Sequence, residues 1–369
     1  MKKWMAVIVS GMLGIGAAWG GGVRAEFTET MNRLLKVPAP SGFRTRMIAE
    51  LRKMIRERGF DSEVDPAGNV LVRIPGKNPN GPTTVLAAHY DEIGMIVTGI
   101  AANGDLSVTN LGGLKPPKVG ERAVTVLSDR GTDVVGIFSM GSEHGGGQWG
   151  GKAGPDWKDV KIITGLTPAQ LKATGICVGS PAVPVNSERG VYVFGDPEDP
   201  LMAAWSFDDR AGCAVLLCLL SELKKQKFRP KNPLIVAFTT EEEVGCLGAV
   251  ALAVHERPAR FIAVDGCPVK PAFGTELSAK PALWIKDRSA IYDPEINREF
   301  LAEADALGIE VQTGVIAGGS DASKVKASGV TAKVGLFGHA RENSHGLEVA
   351  YAAVFENVIR VLTQAVLKY

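Results

Sequence analysis

Apolar side chains recur along this chain at two spacings, and the switches between them divide it. Met31, Leu34 and Leu35, then Met47, Leu51, Met54 and Ile55, fall at helical spacing across residues 28–59. The run Pro38-Ala39-Pro40-Ser41-Gly42 breaks that stretch. Residues 69–74 and 83–88 read as strands, the second ending in His89-Tyr90-Asp91, and strand character resumes over 93–100. From about 98 to 190 short β-like runs (123–127, 134–137, 160–163) alternate with turns, and 141–154 is rich in glycine. After residue 191 the pattern becomes α/β. A helix is predicted over 209–225, near-continuous apolar strands over 233–240 and 261–264, and a last helix over about 349–366. Strands that apolar suit a sheet covered by helices on both faces. The expected organisation is an α/β domain in two parts, 26–97 and 191–369, around a smaller β-rich insertion at 98–190.

Composition narrows the function. With 369 residues the chain is long enough for about two units, and 45% hydrophobic with 22% charged residues excludes disorder, collagen and coiled coil as whole-chain readings. Lys plus Arg is 41 against Asp plus Glu 40, which gives no electrostatic reason to expect nucleic acid. Residues 1–25 read as a signal peptide: Lys2 and Lys3, an apolar stretch from Trp4 to Trp19, then Val23-Arg24-Ala25 before Glu26. The stretch is short for a membrane span. Export to the periplasm or medium is expected, with no stable span after cleavage; without a functional signal the protein stays cytoplasmic. Five scattered cysteines (177, 213, 218, 246 and 267) form no CxxC pair and read mostly as buried small apolar residues.

Three acidic or histidine signals follow predicted strands: His89-Tyr90-Asp91, Glu241-Glu242-Glu243 and Asp265. Open α/β sheets bind ligands at the carboxyl edge of their strands. On an extended segment residues i and i+2 point the same way, so Asp91 can accept the second imidazole N–H of His89 and make the ring a better metal ligand; a surface histidine beside a solvated aspartate fits the same spacing. The acidic triple closes an apolar strand, where burial is costly without a cation, and Val244, Gly245 and Leu247 read as continuing the apolar pattern. Adjacent residues point apart, so Glu242 and Glu243 cannot share one job. Asp208-Asp209 opens a helix. A capping reading explains one of the two and leaves the other spare, and Asp208 is a candidate to bridge two cations. Among the scarce histidines, His345 is the better second ligand, His339 is close behind, and His255 reads as a solvated helix end. No GxSxG supports a serine hydrolase, and Gly318-Gly319-Ser320-Asp321 reads as a turn.

With these residues in place, residues 28–365 resemble the M42 family of metallo-aminopeptidases, the glutamyl and tetrahedral aminopeptidase group. The resemblance rests on an ordered series: Pro40-Ser41-Gly42, Asp65-x-x-Gly68-Asn69, Ala88-His89-x-Asp91-Glu92-x-Gly94, Phe207-Asp208-Asp209-Arg210-x-Gly212, Glu242-Glu243-Val244-Gly245, Val264-Asp265, Gly318-Gly319-Ser320-Asp321-Ala322 and Ser344-His345. It implies a di-metal exopeptidase of the mixed-sheet, phosphorylase/hydrolase-like fold, with the insertion serving as lid or oligomerisation domain. It further implies His89 and Asp265 on one metal, Glu243 and His345 on the other, Asp208 bridging, Glu242 as general base and Asp91 orienting His89. Two divalent ions, zinc or cobalt, peptide substrates and a homo-oligomer up to a dodecamer belong to the same expectation. One departure stands out. The family's last histidine sits in Arg-Tyr-x-His-Ser-Pro with Glu four residues on, whereas this chain has Arg341-Glu342-Asn343-Ser344-His345-Gly346 with Glu348 three on. The alternatives are another di-metal amidohydrolase, such as a carboxypeptidase or deacylase, and a non-catalytic exported peptide-binding protein.

Overall fold

The computed structural model describes residues 16–142, 154–227 and 229–368, with side chains from residue 22. Among these, nine strands form the main sheet. Its spatial order is Glu63–Val64, Val70–Ile74, Leu234–Thr239, Thr84–His89, Arg260–Ala263, Lys333–Arg341, Pro281–Lys286 and Gln312–Val315, with Gly266–Pro268 beside Lys333–Arg341. The four central strands, Leu234–Thr239 to Lys333–Arg341, run parallel, so their carboxyl ends share one rim. Val70–Ile74 and Pro281–Lys286 join antiparallel, making the sheet mixed.

Alternation along the strands fills both faces. Leu86 and Ala88 point into a core with the helices Gly16–Leu35, Thr45–Glu57, Phe207–Lys225 and Ala352–Lys368. Val85 and Ala87 point the other way, against Leu252 of Leu247–Glu256 and Val325 of Asp321–Ala327. Strands covered on both sides have no polar face, which is why they read as continuous apolar runs.

The 98–190 pattern of short strands and turns folds as a closed six-stranded barrel: Gly94–Ile100, Leu106–Leu111, Lys161–Ile163, Val134–Ser139, Arg122–Val126 and Pro181–Pro184. Met95, Val97, Val108, Val124 and Phe138 fill its interior. Most of the glycine-rich stretch, with His144, lies outside the described residues.

The carboxyl-terminal helix begins later than the sequence suggests. Val349 lies in the strand Leu347–Tyr351, which pairs antiparallel with Pro200–Trp205, and the helix starts at Ala352. Glu348 and Ala350 are buried while Leu347 is exposed, a period of two that a helical reading overrides. Four cysteines are buried as expected; Cys177 is exposed.

The first part of the proposed signal peptide, residues 1–15, lies outside the described residues. The helix Gly16–Leu35 continues through Val23-Arg24-Ala25. Val23 is buried, Arg24 lies 3.5 Å from Glu356, and Phe27 stacks on Phe355 at 4.3 Å. Among the described residues no helix is long and apolar enough to cross a membrane.

Candidate metal centre

The parallel rim brings together residues up to 256 positions apart. His89 is the last residue of its strand, Glu241–Glu243 turn off the end of Leu234–Thr239, and Asp265 follows Arg260–Ala263. Asp208 and Asp209 depart from helical geometry at the start of Phe207–Lys225. Asp209 takes the capping role, its Oδ1 accepting the Gly212 N–H at 3.0 Å, and this frees Asp208 to face the rim. His345 enters from the turn after Lys333–Arg341.

His89 Nε2 lies 3.1 Å from Asp208 Oδ1. His345 Nε2 lies 3.4 Å from Asp208 Oδ2 and 3.5 Å from Glu243 Oε2. Potential donor atoms of His89, Asp208 and Glu243 all fall within 4.8 Å of one another, and so do those of His89, Asp209 and Asp265. Asp208 therefore sits between the two histidines, and Asp265 reaches the His89 side of the cluster. His339 does not belong to it: its ring is buried edge-on to Phe207 at 6.4 Å and against Phe355 at 4.9 Å, and burial pushes its pKa down to about 3. His255 is exposed on a helix end.

Asp91 does more than the spacing with His89 suggests. His89 Nδ1 is 3.2 Å from the Asp91 backbone oxygen and 3.5 Å from its Oδ1. The same carboxylate accepts the Ser41 hydroxyl at 2.5 Å and the backbone N–H groups of Glu242 and Glu243 at 3.1 and 3.4 Å. One buried anion thus fixes the His89 ring and the turn carrying both glutamates. The neighbouring Glu92 is bound by Arg189, Arg210, Ser206 and the Ala39 N–H, an anchor beneath the segment leading to Asp208.

The charges show what the cluster lacks. Burial, with Asp208 adding repulsion, pushes Glu243 up to about 8 and Asp265 to about 7. Burial and Asp265 hold Asp209 well above the carboxylate range, and burial does the same for Glu242. Glu243 Oε1 and Asp209 Oδ2 are buried without a hydrogen-bond partner. Two like charges about 4 Å apart repel by about 4 kcal/mol at an effective dielectric of 20. Orphaned carboxylate oxygens beside two imidazoles are the donor set of a divalent cation site, and the residues fit one.

Three further residues, Arg341, Glu348 and Asp321, complete the centre without being marked as functional by the sequence pattern. Arg341 is buried, its Nη2 bonding Asp208 Oδ2 and its Nε donating to Glu348 at 2.8 Å. Glu348 also accepts the backbone N–H groups of Asp208 and His345. Asp321 lies behind Glu242, its donor atom within 4.8 Å of those of Glu242 and Cys246. The signal for Arg341 was an ionisable residue ending a strand otherwise buried from Val334 to Ala340. Asp321 was hidden as a helix-opening turn, which Ser320 indeed caps. Val244 and Leu247, read as continuing the buried pattern, are exposed.

Imidazoles and carboxylates gathered at the carboxyl rim of a mixed α/β sheet fit a metal-dependent hydrolase. The family model for M42 glutamyl aminopeptidase matches residues 68–361, and the chain belongs to that family of metal-dependent aminopeptidases. It is 27% identical to the glutamyl aminopeptidase of Lactococcus lactis subsp. cremoris over 328 residues, covering 80% of this chain and 83% of the relative. It is 24% identical to the lysyl aminopeptidase of Pyrococcus furiosus over 64% of this chain and 65% of that one. A TET peptidase of Pyrococcus horikoshii, described as assembling into a tetrahedron or a large octahedral shell, superposes with a TM-score of 0.80 at 25% identity. That match covers 92% of this chain and 99% of the other. The protein is a hydrolase of the aminopeptidase type.

Proposed function

We propose that this protein removes N-terminal residues from peptides at a two-cation centre. The observation that carries the reading is the convergence of His89, Asp208, Glu243, Asp265 and His345 on one rim, with the buried oxygens Glu243 Oε1 and, beside them, Asp209 Oδ2 left without a hydrogen-bond partner. His89 and Asp265 would hold one ion, Glu243 and His345 the other, with Asp208 shared. Bound there, the ions would supply Lewis acidity and lower the pKa of a captured water. Mixed imidazole and carboxylate donors favour zinc or cobalt.

Glu242 is the general base. Its Oε2 lies 3.9 Å from His89 Nε2, and Cys246 Sγ holds its Oε1 at 3.4 Å. From this position Oε2 takes a proton from the attacking water and delivers it to the leaving amine nitrogen. Asp91 orients His89 and holds the glutamate turn. The adjoining cavity, about 360 Å³, is also lined by Lys270, Lys324 and Arg341, and among the described residues its acidic lining is confined to Asp208, Glu242, Glu243 and Asp265. This charge pattern favours an acidic side chain on the residue removed.

Metal analysis of the purified protein, with an aminoacyl-anilide panel run with and without chelator, tests the reading. Two ions per chain, loss of turnover on chelation and preference for glutamyl or aspartyl anilides are expected. Turnover of N-acyl amino acids instead would favour a deacylase. Glu242→Gln should keep the metal and lose kcat by about 10²–10⁴-fold; retained turnover refutes the base assignment. A homo-oligomer, up to a dodecamer as for tetrahedral relatives, is part of the proposal and is checked by light scattering. Export is checked by fractionation.

A further inference from the structure

The barrel meets the candidate metal centre at Gly112-Gly113, just after the strand Leu106–Leu111. A Cβ placed on Gly113 would lie 2.5 Å from both Cε1 and Nδ1 of His345, far inside contact distance. Gly112 has φ +76°, and a Cβ there would lie 2.9 Å from Ile93 Cγ2 and 3.1 Å from Glu243 Cβ. The same pair of glycines therefore backs both His345 and Glu243. At Gly113 the group that must yield is the His345 ring itself, and at Gly112 it is Ile93 Cγ2 and the stem of the buried Glu243 carboxylate.

The turn carrying His345 explains the close approach. Asn343 and His345 both have left-handed φ values, 59° and 61°, a region non-glycine residues seldom adopt. The His345 N–H is held by Glu348 and the Asn343 side chain bonds the Leu347 oxygen. On the barrel side, Lys118 packs on Gly346, where a Cβ would meet its Cδ at 3.2 Å. With the histidine one residue further from Arg341 than in the Arg-Tyr-x-His pattern, its ring reaches Glu243 and Asp208 by passing over a bare glycine backbone.

We propose that Gly113 is a positioning residue for the second cation: a wall supplied by the barrel that seats the His345 ring against Glu243, so that occupancy of this half of the centre depends on the barrel while the His89–Asp265 half does not. The inference rests on the two-cation reading above. The test is zinc titration calorimetry of metal-free protein, with Co²⁺ absorption as the spectroscopic signature, on the parent, Gly113→Ala, His345→Ala and the double variant. Gly99→Ala is the control, since a Cβ there meets only ordinary contacts at 3.6 Å.

The parent and Gly99→Ala should take two ions. Gly113→Ala should keep one at parental affinity and bind the other about 10–100-fold more weakly, with the Co²⁺ spectrum of the second equivalent changed. In the His345→Ala background the ring is gone, so alanine at position 113 should cost neither further affinity nor melting temperature. Two ions at parental affinity in Gly113→Ala, or additive losses in the double variant, would overturn the proposal. A parent binding fewer than two ions would overturn the two-cation reading itself.

Discussion

Replacing Asp91 by asparagine removes a charge while keeping the shape, and the surroundings set the cost. Every neighbour of this carboxylate is a donor: Ser41 Oγ–H, the N–H groups of Glu242 and Glu243, and the His89 Nδ1 side at 3.5 Å. An NH2 at the Oδ1 position would oppose both Glu242 N–H and His89. At the Oδ2 position it opposes only Glu243 N–H, because the Ser41 hydroxyl can turn and accept. That second orientation is the less costly. It forfeits one amide bond and demotes the others from charge-assisted, at about 1.5–3 kcal/mol, to neutral, at about 0.5–1.5 kcal/mol. The sum is about 3.5–6 kcal/mol, felt as lost alignment of His89 and the glutamate turn. At 1.36 kcal/mol per decade even its low end is more than a 10²-fold change.

Asp91→Asn should therefore lower kcat or zinc affinity by at least about 10²-fold, with KM for a good anilide moving far less, because Asp91 does not line the cavity. Steady-state kinetics at saturating zinc, with calorimetry on metal-free protein, separate the two. A variant within threefold of the parent in both kcat and zinc affinity would refute the claim that this buried anion holds the centre.

Other consequences are independent of catalysis. Glu92→Gln leaves buried Arg189 and Arg210 facing a neutral amide, and breaking such a network costs about 3–5 kcal/mol, read as a fall in the urea midpoint with unchanged slope. His339 is held neutral with a pKa near 3, so its folded-state pKa lies below the unfolded value of 6.5. Its contribution is present above pH 6.5 and is lost as pH falls, by about 1.4 kcal/mol per unit toward pH 3. His339→Phe, packed among Phe207 and Phe355, should flatten the urea-midpoint profile between pH 6.5 and 5; an unchanged slope would count against the assignment. Cleavage after Ala25 would remove Val23, worth about 1.5–3 kcal/mol of burial, and the Arg24–Glu356 pair, worth under about 1 kcal/mol. A chain starting at Glu26 should thus fold with a modestly lower melting temperature, and sequencing of the mature N-terminus from fractionated cells shows whether that cleavage occurs.

The rim was legible because of how covered parallel strands are written. Leu234–Thr239 and Thr84–His89 are buried at every position, so the first polar residues after them stand out against the run and fall on the edge where ligands bind. Residues whose role depends on a partner far along the chain gave no such signal. Arg341 ends one strand and Glu348 sits in the next, and only the turn between them shows that they clasp Asp208 together. Spacing alone lets either Asp208 or Asp209 cap the helix; the Gly212 N–H on Asp209 Oδ1 and the His89 ring on Asp208 Oδ1 are what separate their roles.

The turn at Asn343–Gly346 shows the limit most sharply. A motif compares positions along a chain, whereas a ligand cluster compares positions in space, and a left-handed residue converts one into the other. His345 is one residue away from where the pattern places it, yet its ring lies within 3.5 Å of both Asp208 and Glu243. What permits this lies some 230 residues earlier, in a pair of glycines that reads by itself as an ordinary turn. The side chain that departs from the pattern and the missing side chain that accommodates it are one feature, and only the packed chain puts them together.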